Sequence, residues 1–195
     1  SNSGKFNKAL FFDGNENYAQ GEDISIGTSD FTITSWIYPQ SNPPGDNYSG
    51  GIFGQGVTNS VQLYLINSGY LGLRVYNGST YAGWAHSSSE TISENQWQHV
   101  AYVAQRNGNG TFFLNGKSVG QIDISSRIAQ EIILNSKIGR NTWLSSTTTD
   151  QTFYGLIDEV KIYNYALTPE EVALDYNQGM AAVMGQSSAN TGSTA

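Results

Sequence analysis

Phe31-Thr32-Ile33-Thr34-Ser35-Trp36-Ile37-Tyr38-Pro39 is the stretch that decides the fold class. Phe31, Ile33, Ser35 and Ile37 alternate with Thr32, Thr34, Trp36 and Tyr38, a two-residue period built from β-branched and aromatic side chains, which predicts a strand. Pro39 ends it, since proline cannot donate to a ladder. Outward from that strand the same signature recurs. Val61 to Ile66 and Tyr70 to Tyr76 flank Asn67-Ser68-Gly69, and Leu71, Leu73 and Val75 alternate with Gly72, Arg74 and Tyr76, which predicts a hairpin. Trp97 to Gln105 and Thr111 to Leu114 are joined by Arg106-Asn107-Gly108-Asn109-Gly110, and Asn115-Gly116 adds a strong hairpin-turn signal. Ala9 to Phe12 runs into the turn Asp13-Gly14-Asn15, and Lys137 to Gly139 and Phe153 to Tyr163 supply further strands. Ser41 to Gly51 and Asn141 to Gln151 read as polar loops. One helix is expected, with Thr168 as N-cap, Pro169 at the first helical position and Glu171 closing a capping box; it should reach about Tyr176 and stop near Gly179. Ser1 to Lys8 reads as a lead-in. Residues 1–178 form one domain in this reading, and 179–195 a flexible Ser/Gly/Thr/Ala-rich tail or linker.

Composition agrees with an all-β sandwich. The 195 residues suit one buried core, and 22 glycines and 12 tyrosines accompany abundant Thr, Ser and Asn, as in short strands joined by turns. Nine basic against sixteen acidic residues leave a net charge of -7, and no Lys/Arg cluster offers a footprint for nucleic acid. The acidic surplus suits a surface protein, or one presenting carboxylates to a hard cation. With no cysteine, disulfides, thiolate nucleophiles and thiolate metal sites are excluded. No apolar run is long enough to span a bilayer, and Ser1 to Phe6 lacks a signal-type apolar segment, so an exported form would be a mature or excised segment.

Several segments taken in order resemble the laminin-G-like jelly roll of the concanavalin A-like lectin/glucanase superfamily, over about Gly4 to Gln178. They are Ala9-Leu10-Phe11-Phe12-Asp13-Gly14 with Tyr18, then Phe31 to Ile37, Trp97-Gln98-His99-Val100-Ala101, Leu114-Asn115-Gly116-Lys117, Ile138-Gly139, and Gly155 to Leu167 running into the helix. The resemblance implies two antiparallel sheets packed face to face, a concave face, a rim of loops, and binding of carbohydrate or protein outside the cell. It further implies a structural calcium ion near the first and last of these segments, with Asp13 and Asp158 as side-chain ligands and Asn15 as a third.

The residues themselves leave alternatives open. Asp13 also suits plain turn chemistry, and Asp158, between Ile157 and Glu159 on a strand, could serve a network of backbone amides instead of a metal. Adjacent strand residues point to opposite faces, so Asp158 and Glu159 cannot form a catalytic acid/base pair. Trp36 and Trp97 read as structural. Trp84, Tyr81 and Trp143 lie in polar, Gly-rich stretches, where they cover a core edge or stack on a sugar ring, with Tyr48, Tyr76, Arg74 and Arg140 as companions. His86 and His99 have no metal-site spacing, and His99 reads as structural.

The leading expectation is a non-catalytic, secreted or cell-surface module that binds a glycan or cell-surface polysaccharide, with structural calcium, as part of a larger multidomain protein without membrane insertion. A structural or protein-binding domain of a bacterial surface protein is the second reading. A glycoside hydrolase or lyase is the third: it would need paired carboxylates on one face. The E-x-D-x-E spacing, which would put alternate carboxylates on one face, is missing, and Glu90, Glu94 and Glu131 fall in turns or loops without a second carboxylate so placed.

Overall fold

The computed structural model describes residues 4–15, 17–41, 50–54, 59–66, 69–77, 80–87, 89–125, 131–134, 136–141 and 151–184; side chains are not described for 76, 77, 80–86, 141, 151 and 179–184. In chain order the strands are β1 (Leu10–Asp13), β2 (Ala19–Gln20), β3 (Ile24–Gly27), β4 (Phe31–Pro39), β5 (Gly51–Gly54), β6 (Val61–Leu65), β7 (Leu71–Asn77) and β8 (Thr80–His86). They continue as β9 (Gln98–Ala104), β10 (Asn109–Leu114), β11 (Lys117–Asp123), β12 (Ile132–Leu134), β13 (Lys137–Ile138), β14 (Arg140–Asn141), β15 (Gln151–Thr152) and β16 (Tyr154–Tyr163), followed by helix α1 (Pro169–Met184).

Two six-stranded antiparallel sheets carry the fold. The first has the order β1-β16-β4-β9-β10-β11 and the second β2-β13-β5-β6-β7-β8, with the pairs β12-β3 and β14-β15 beside them. The sheets trap one apolar core: Phe31, Ile33 and Ile37 of β4 meet Val61, Leu63 and Leu65 of β6 and Leu71, Leu73 and Val75 of β7. The all-β jelly-roll reading therefore holds, and β4 has the bounds its alternation predicts. At the predicted Asn-Gly turn both residues have positive φ, 50° at Asn115 and 78° at Gly116. That is the type I′ geometry whose twist matches the flanking strands.

The first sheet has a second, smaller core on its outer face, where Ala101, Val103 and Phe113 pack against Leu167 and Val172. The helix that supplies Val172 starts as its sequence indicates: Thr168 N–H donates to Glu171 Oε2 (2.8 Å) and Glu171 N–H to Thr168 Oγ1 (3.2 Å), a reciprocal capping box. Its end differs from expectation, for it passes Gly179 and runs to Met184. Met180, Ala181, Ala182 and Met184 are strong helix formers, and one interior glycine costs only about 1 kcal/mol against that preference. The expected tail thus begins with helix, and residues 185–195 lie outside the described set.

A second departure concerns Glu159. It has φ 49° and sits in a β-bulge where β16 advances from Asp158 to Lys161 while β4 moves from Trp36 to Thr34. The extra residue breaks the strict face alternation assumed for Asp158 and Glu159.

Candidate binding face on the second sheet

Alternation in β6 and β7 sends Val61, Leu63, Leu65, Leu71, Leu73 and Val75 inward. The intervening Gln62, Tyr64, Gly72 and Arg74 then belong to the outer face of the second sheet. Register places Gln62 opposite Arg74, and Arg74 opposite Trp84; one step along, Tyr64 faces Gly72, and Gly72 faces His86. The Arg74 guanidinium carbon stands 5.0 Å from the Tyr64 ring centroid. Gly72 makes that packing possible, because a Cβ there would lie 2.5 Å from the Tyr64 ring. Gln62, Tyr64 and Arg74 are 0, 0 and 1% exposed. Arg74, expected as a ligand contact, is therefore an inner support of this face, its charge held against an aromatic ring.

The opposite edge of the same face is more open. Ala19 and Ile138 pack inward, and their register with Lys137 opposite Gln20 puts Tyr18, Gln20 and Lys137 outward. Tyr18 is 42% exposed. Lys137 Nζ lies 4.6 Å, and the Arg140 guanidinium carbon 5.4 Å, from its ring centroid. Residues three apart on a regular strand face opposite ways, so Lys137 and Arg140 reach one ring only because Gly139, at φ 89°, breaks the alternation. Glycine is obligatory there: an added Cβ would stand 2.2 Å from Phe12.

The expected calcium ligands are not drawn into one shell. Asp13 pairs with Tyr154 of β16, four residues before Asp158, which places the two acids about 13 Å apart. Asp158 turns its carboxylate onto backbone amides, accepting from Phe6 N–H (3.1 Å) and Glu159 N–H (2.9 Å). Asp13 Oδ1 accepts from Asn15 N–H (2.8 Å), while Asn17 Oδ1 accepts from Asp13 N–H (3.3 Å), an Asx turn of the kind these residue types favour. Among the described residues no group of three or more His, Cys, Asp or Glu side chains could hold a metal ion. Asp13, Asn15 and Asp158 therefore do not fit a single calcium site.

Of the other expected contacts, Arg140 is present at the open edge. Trp84, Tyr81 and Tyr76 have backbone places in β8 and β7 but undescribed side chains, and Tyr48 and Trp143 lie outside the described residues. Sequence reasoning missed Gln62, Tyr64 and Lys137 as members of this face, and used Tyr18 only to support the resemblance. The alternation of Val61 to Leu65 could have exposed the first two; Tyr18 and Lys137 meet only through the β2-β13 pairing.

The first sheet's outer face is occupied by its own chain. Trp36 stacks on Tyr176 (5.6 Å, 26°) and meets Phe6 edge-on (6.0 Å). Asp175, 6% exposed, accepts from Thr34 Oγ1 (2.7 Å) and Lys161 Nζ (2.7 Å) and contacts His99 Nε2 (3.2 Å). Burial alone would raise the Asp175 pKa, yet the hydrogen bonds from His99, Lys161 and Thr34 outweigh it and hold the carboxyl well below the usual carboxylate range. Beyond the helix a row of Phe11, Leu156 and Tyr38 crosses β1, β16 and β4 and ends on Trp97. Phe11 and its neighbour Tyr154 are exposed there.

Two antiparallel six-stranded sheets, closed on one side by a terminal helix, define a jelly-roll sandwich. The chain belongs to the concanavalin A-like lectin/glucanases superfamily, whose laminin-G-type model matches residues 13–173. A zebrafish (Danio rerio) protein described as adhesion G-protein coupled receptor V1 is 29% identical across 87% of this chain, which spans 3% of that receptor's length. Among solved structures, the binding domain of Paraclostridial Mosquitocidal Protein 1 superposes with TM-score 0.66 and 22% identity, covering 90% of this chain and 44% of that one. Domain 4 of AbnA, an extracellular arabinanase from Geobacillus stearothermophilus in complex with arabinotriose, gives 0.62 and 23%, covering 89% and 78%. A native heptameric SAP-like pentraxin from Limulus polyphemus gives 0.62 and 18%, covering 84% and 78%. These likenesses are of fold. No helix among the described residues is long and apolar enough to cross a membrane.

Proposed function

We propose that this chain is a non-catalytic extracellular module that binds carbohydrate on the outer face of its second sheet. The observation that carries the reading is the exposed Tyr18 ring at the edge of that face with Lys137 and Arg140 beside it, the buried Arg74 and Tyr64 pair supporting the face from within. Aromatic rings offer flat apolar surfaces for the C–H faces of sugars, and guanidinium, ammonium and amide groups hydrogen-bond their hydroxyls. Membership of a lectin and glucanase superfamily, and a structural neighbour crystallised with arabinotriose, support this reading without identifying the sugar. Polysaccharide pull-down tests it directly, alongside a reducing-sugar release assay, in which a non-catalytic module releases nothing.

Calcium gains no assembled site from this geometry, so the reading runs without it; a thermal melt in calcium against chelator is the check. A second reading, protein adhesion, draws on the exposed Phe11 and Tyr154 beside Tyr38 and Trp97 on the first sheet and on the adhesion-receptor relative. Exposed aromatic surface of this kind also anchors protein interfaces. Phe11→Ala with Tyr154→Ala would abolish capture of a cell-surface protein while leaving polysaccharide binding intact.

A further inference from the structure

Asn-Gly pairs stand at 77–78, 107–108, 109–110 and 115–116, and both residues of the last three are described. We propose that Asn107 is a self-modification site of the folded protein, where water replaces the side-chain amide, while the hairpins hold Asn109 and Asn115 unreactive. This reactivity is independent of either binding face. The Gly108 backbone nitrogen attacks Asn107 Cγ: a nitrogen–carbon bond forms, the peptide proton passes to solvent, and the Cγ–Nδ2 bond breaks with loss of ammonia. Water then opens the cyclic imide at either carbonyl, leaving aspartate or isoaspartate at position 107. One water enters and one ammonia leaves, so no oxidant or cofactor is needed. Glycine on the C-terminal side favours closure, because no Cβ obstructs the nitrogen and the backbone turns freely.

The three pairs share that chemistry and differ in what the fold allows them. Asn107 is exposed at the tip of the turn between β9 and β10, and its side chain takes no hydrogen-bond partner among the described residues. Gly108 N–H makes a turn bond to Gln105 O (2.9 Å). Space at Gly108 is open, the nearest atom to an added Cβ being Gln105 O at 3.9 Å. Both reacting groups can therefore move without undoing a ladder. Asn109 has no such freedom. Gly108 O accepts from Ile124 N–H, so ladder alternation commits Gly110 N–H, two residues on, to Ile122 opposite it. Gly110 is buried, with its Cβ position 2.7 Å from the Tyr102 ring. Asn115 is clamped instead at its side chain: its N–H donates to His99 O (2.8 Å) and its Oδ1 accepts from His99 N–H (2.9 Å). Turning Cγ toward the Gly116 nitrogen would strand the N–H of a residue that is 1% exposed, which the fold resists. The helix also covers Gly116, with Tyr176 and Ala173 3.2 and 3.4 Å from its Cβ position.

Trypsin reports on all three together, since cleavage after Arg106 and after Lys117 leaves them in one peptide, Asn107 to Lys117. Folded protein and a parallel sample in urea are aged in mildly alkaline heavy-oxygen water, which marks conversion that precedes digestion. Electron-transfer fragmentation then locates each conversion and separates aspartate from isoaspartate. The proposal predicts that Asn107 in the folded protein converts at least tenfold faster than Asn109 or Asn115, and that urea brings the three rates close together. Gly108→Ala, for which the fold has room, should slow Asn107 at least tenfold at an unchanged melting temperature. Conversion of Asn109 or Asn115 as fast as Asn107 in the folded protein overturns the proposal, as does an Asn107 that stays intact when folded. A lead for Asn107 that persists undiminished in urea overturns the protection assigned to the hairpins.

Discussion

The two outer faces of the sandwich use similar side chains to opposite ends. On the first sheet Trp36, His99, Thr34 and Lys161 are closed over by α1, and Asp175 of that helix gathers the polar three into one buried network. On the second sheet Tyr64 with Arg74, and Tyr18 with Lys137 and Arg140, are aromatic and cationic groupings on the outer face. The two faces differ in exposure: Asp175 is 6% exposed beneath the helix, whereas Tyr18 at the edge of the second sheet is 42% exposed. Where an acid of the chain's own fills the cluster, the cluster is glue.

The sharpest way to break this contrast is to remove Asp175. Asp175→Ala strands the buried His99 and Thr34 and should cost about 3 kcal/mol in urea unfolding, with polysaccharide affinity unchanged in the folded protein. The same carboxylate makes the first face acid-sensitive. Its pKa is depressed in the folded state, so its stabilising contribution is complete above the ordinary carboxylate value and should fade as pH drops below about 4. Asp175→Asn should show a shallower loss of stability over that range. On the second face, Gly139→Ala combines a strained positive φ with a collision on Phe12 and should cost about 2 kcal/mol in urea unfolding. Thr168→Ala removes one half of the capping box and should lower stability by about 1 kcal/mol, loosening the first face only. Smallest of all is calcium: excess calcium against chelator should move the melting temperature by less than about 1 °C, since Asp158 is already committed to two backbone amides.

How far these faces could be read from sequence follows from distance along the chain. β4, the Asn115-Gly116 turn and the Thr168 capping box are local, and each was legible because its pattern closes within nine residues or fewer. The short strands β2, β3, β5 and β12 were not, for two to four residues carry no usable period. The structural role of His99 was readable from its apolar neighbours, but its partner Asp175 lies 76 residues away. Tyr18 and Lys137 likewise meet only through sheet pairing. Asp158 misled for a physical reason: a semi-buried acid demands donors or a cation, and sequence alone cannot reveal that the lead-in at Phe6 and the bulge at Glu159 provide the donors.

The most direct test of the account compares binding after damage to each face. Tyr18→Ala with Trp84→Ala, Trp84 being in register with Arg74, is set against Phe11→Ala with Tyr154→Ala in affinity electrophoresis on a polysaccharide that the parent chain retains. The account predicts at least tenfold weaker retention for the first pair and parental retention for the second, both folded by thermal melt. Loss confined to the Phe11 and Tyr154 pair would contradict it and move the binding face to the first sheet.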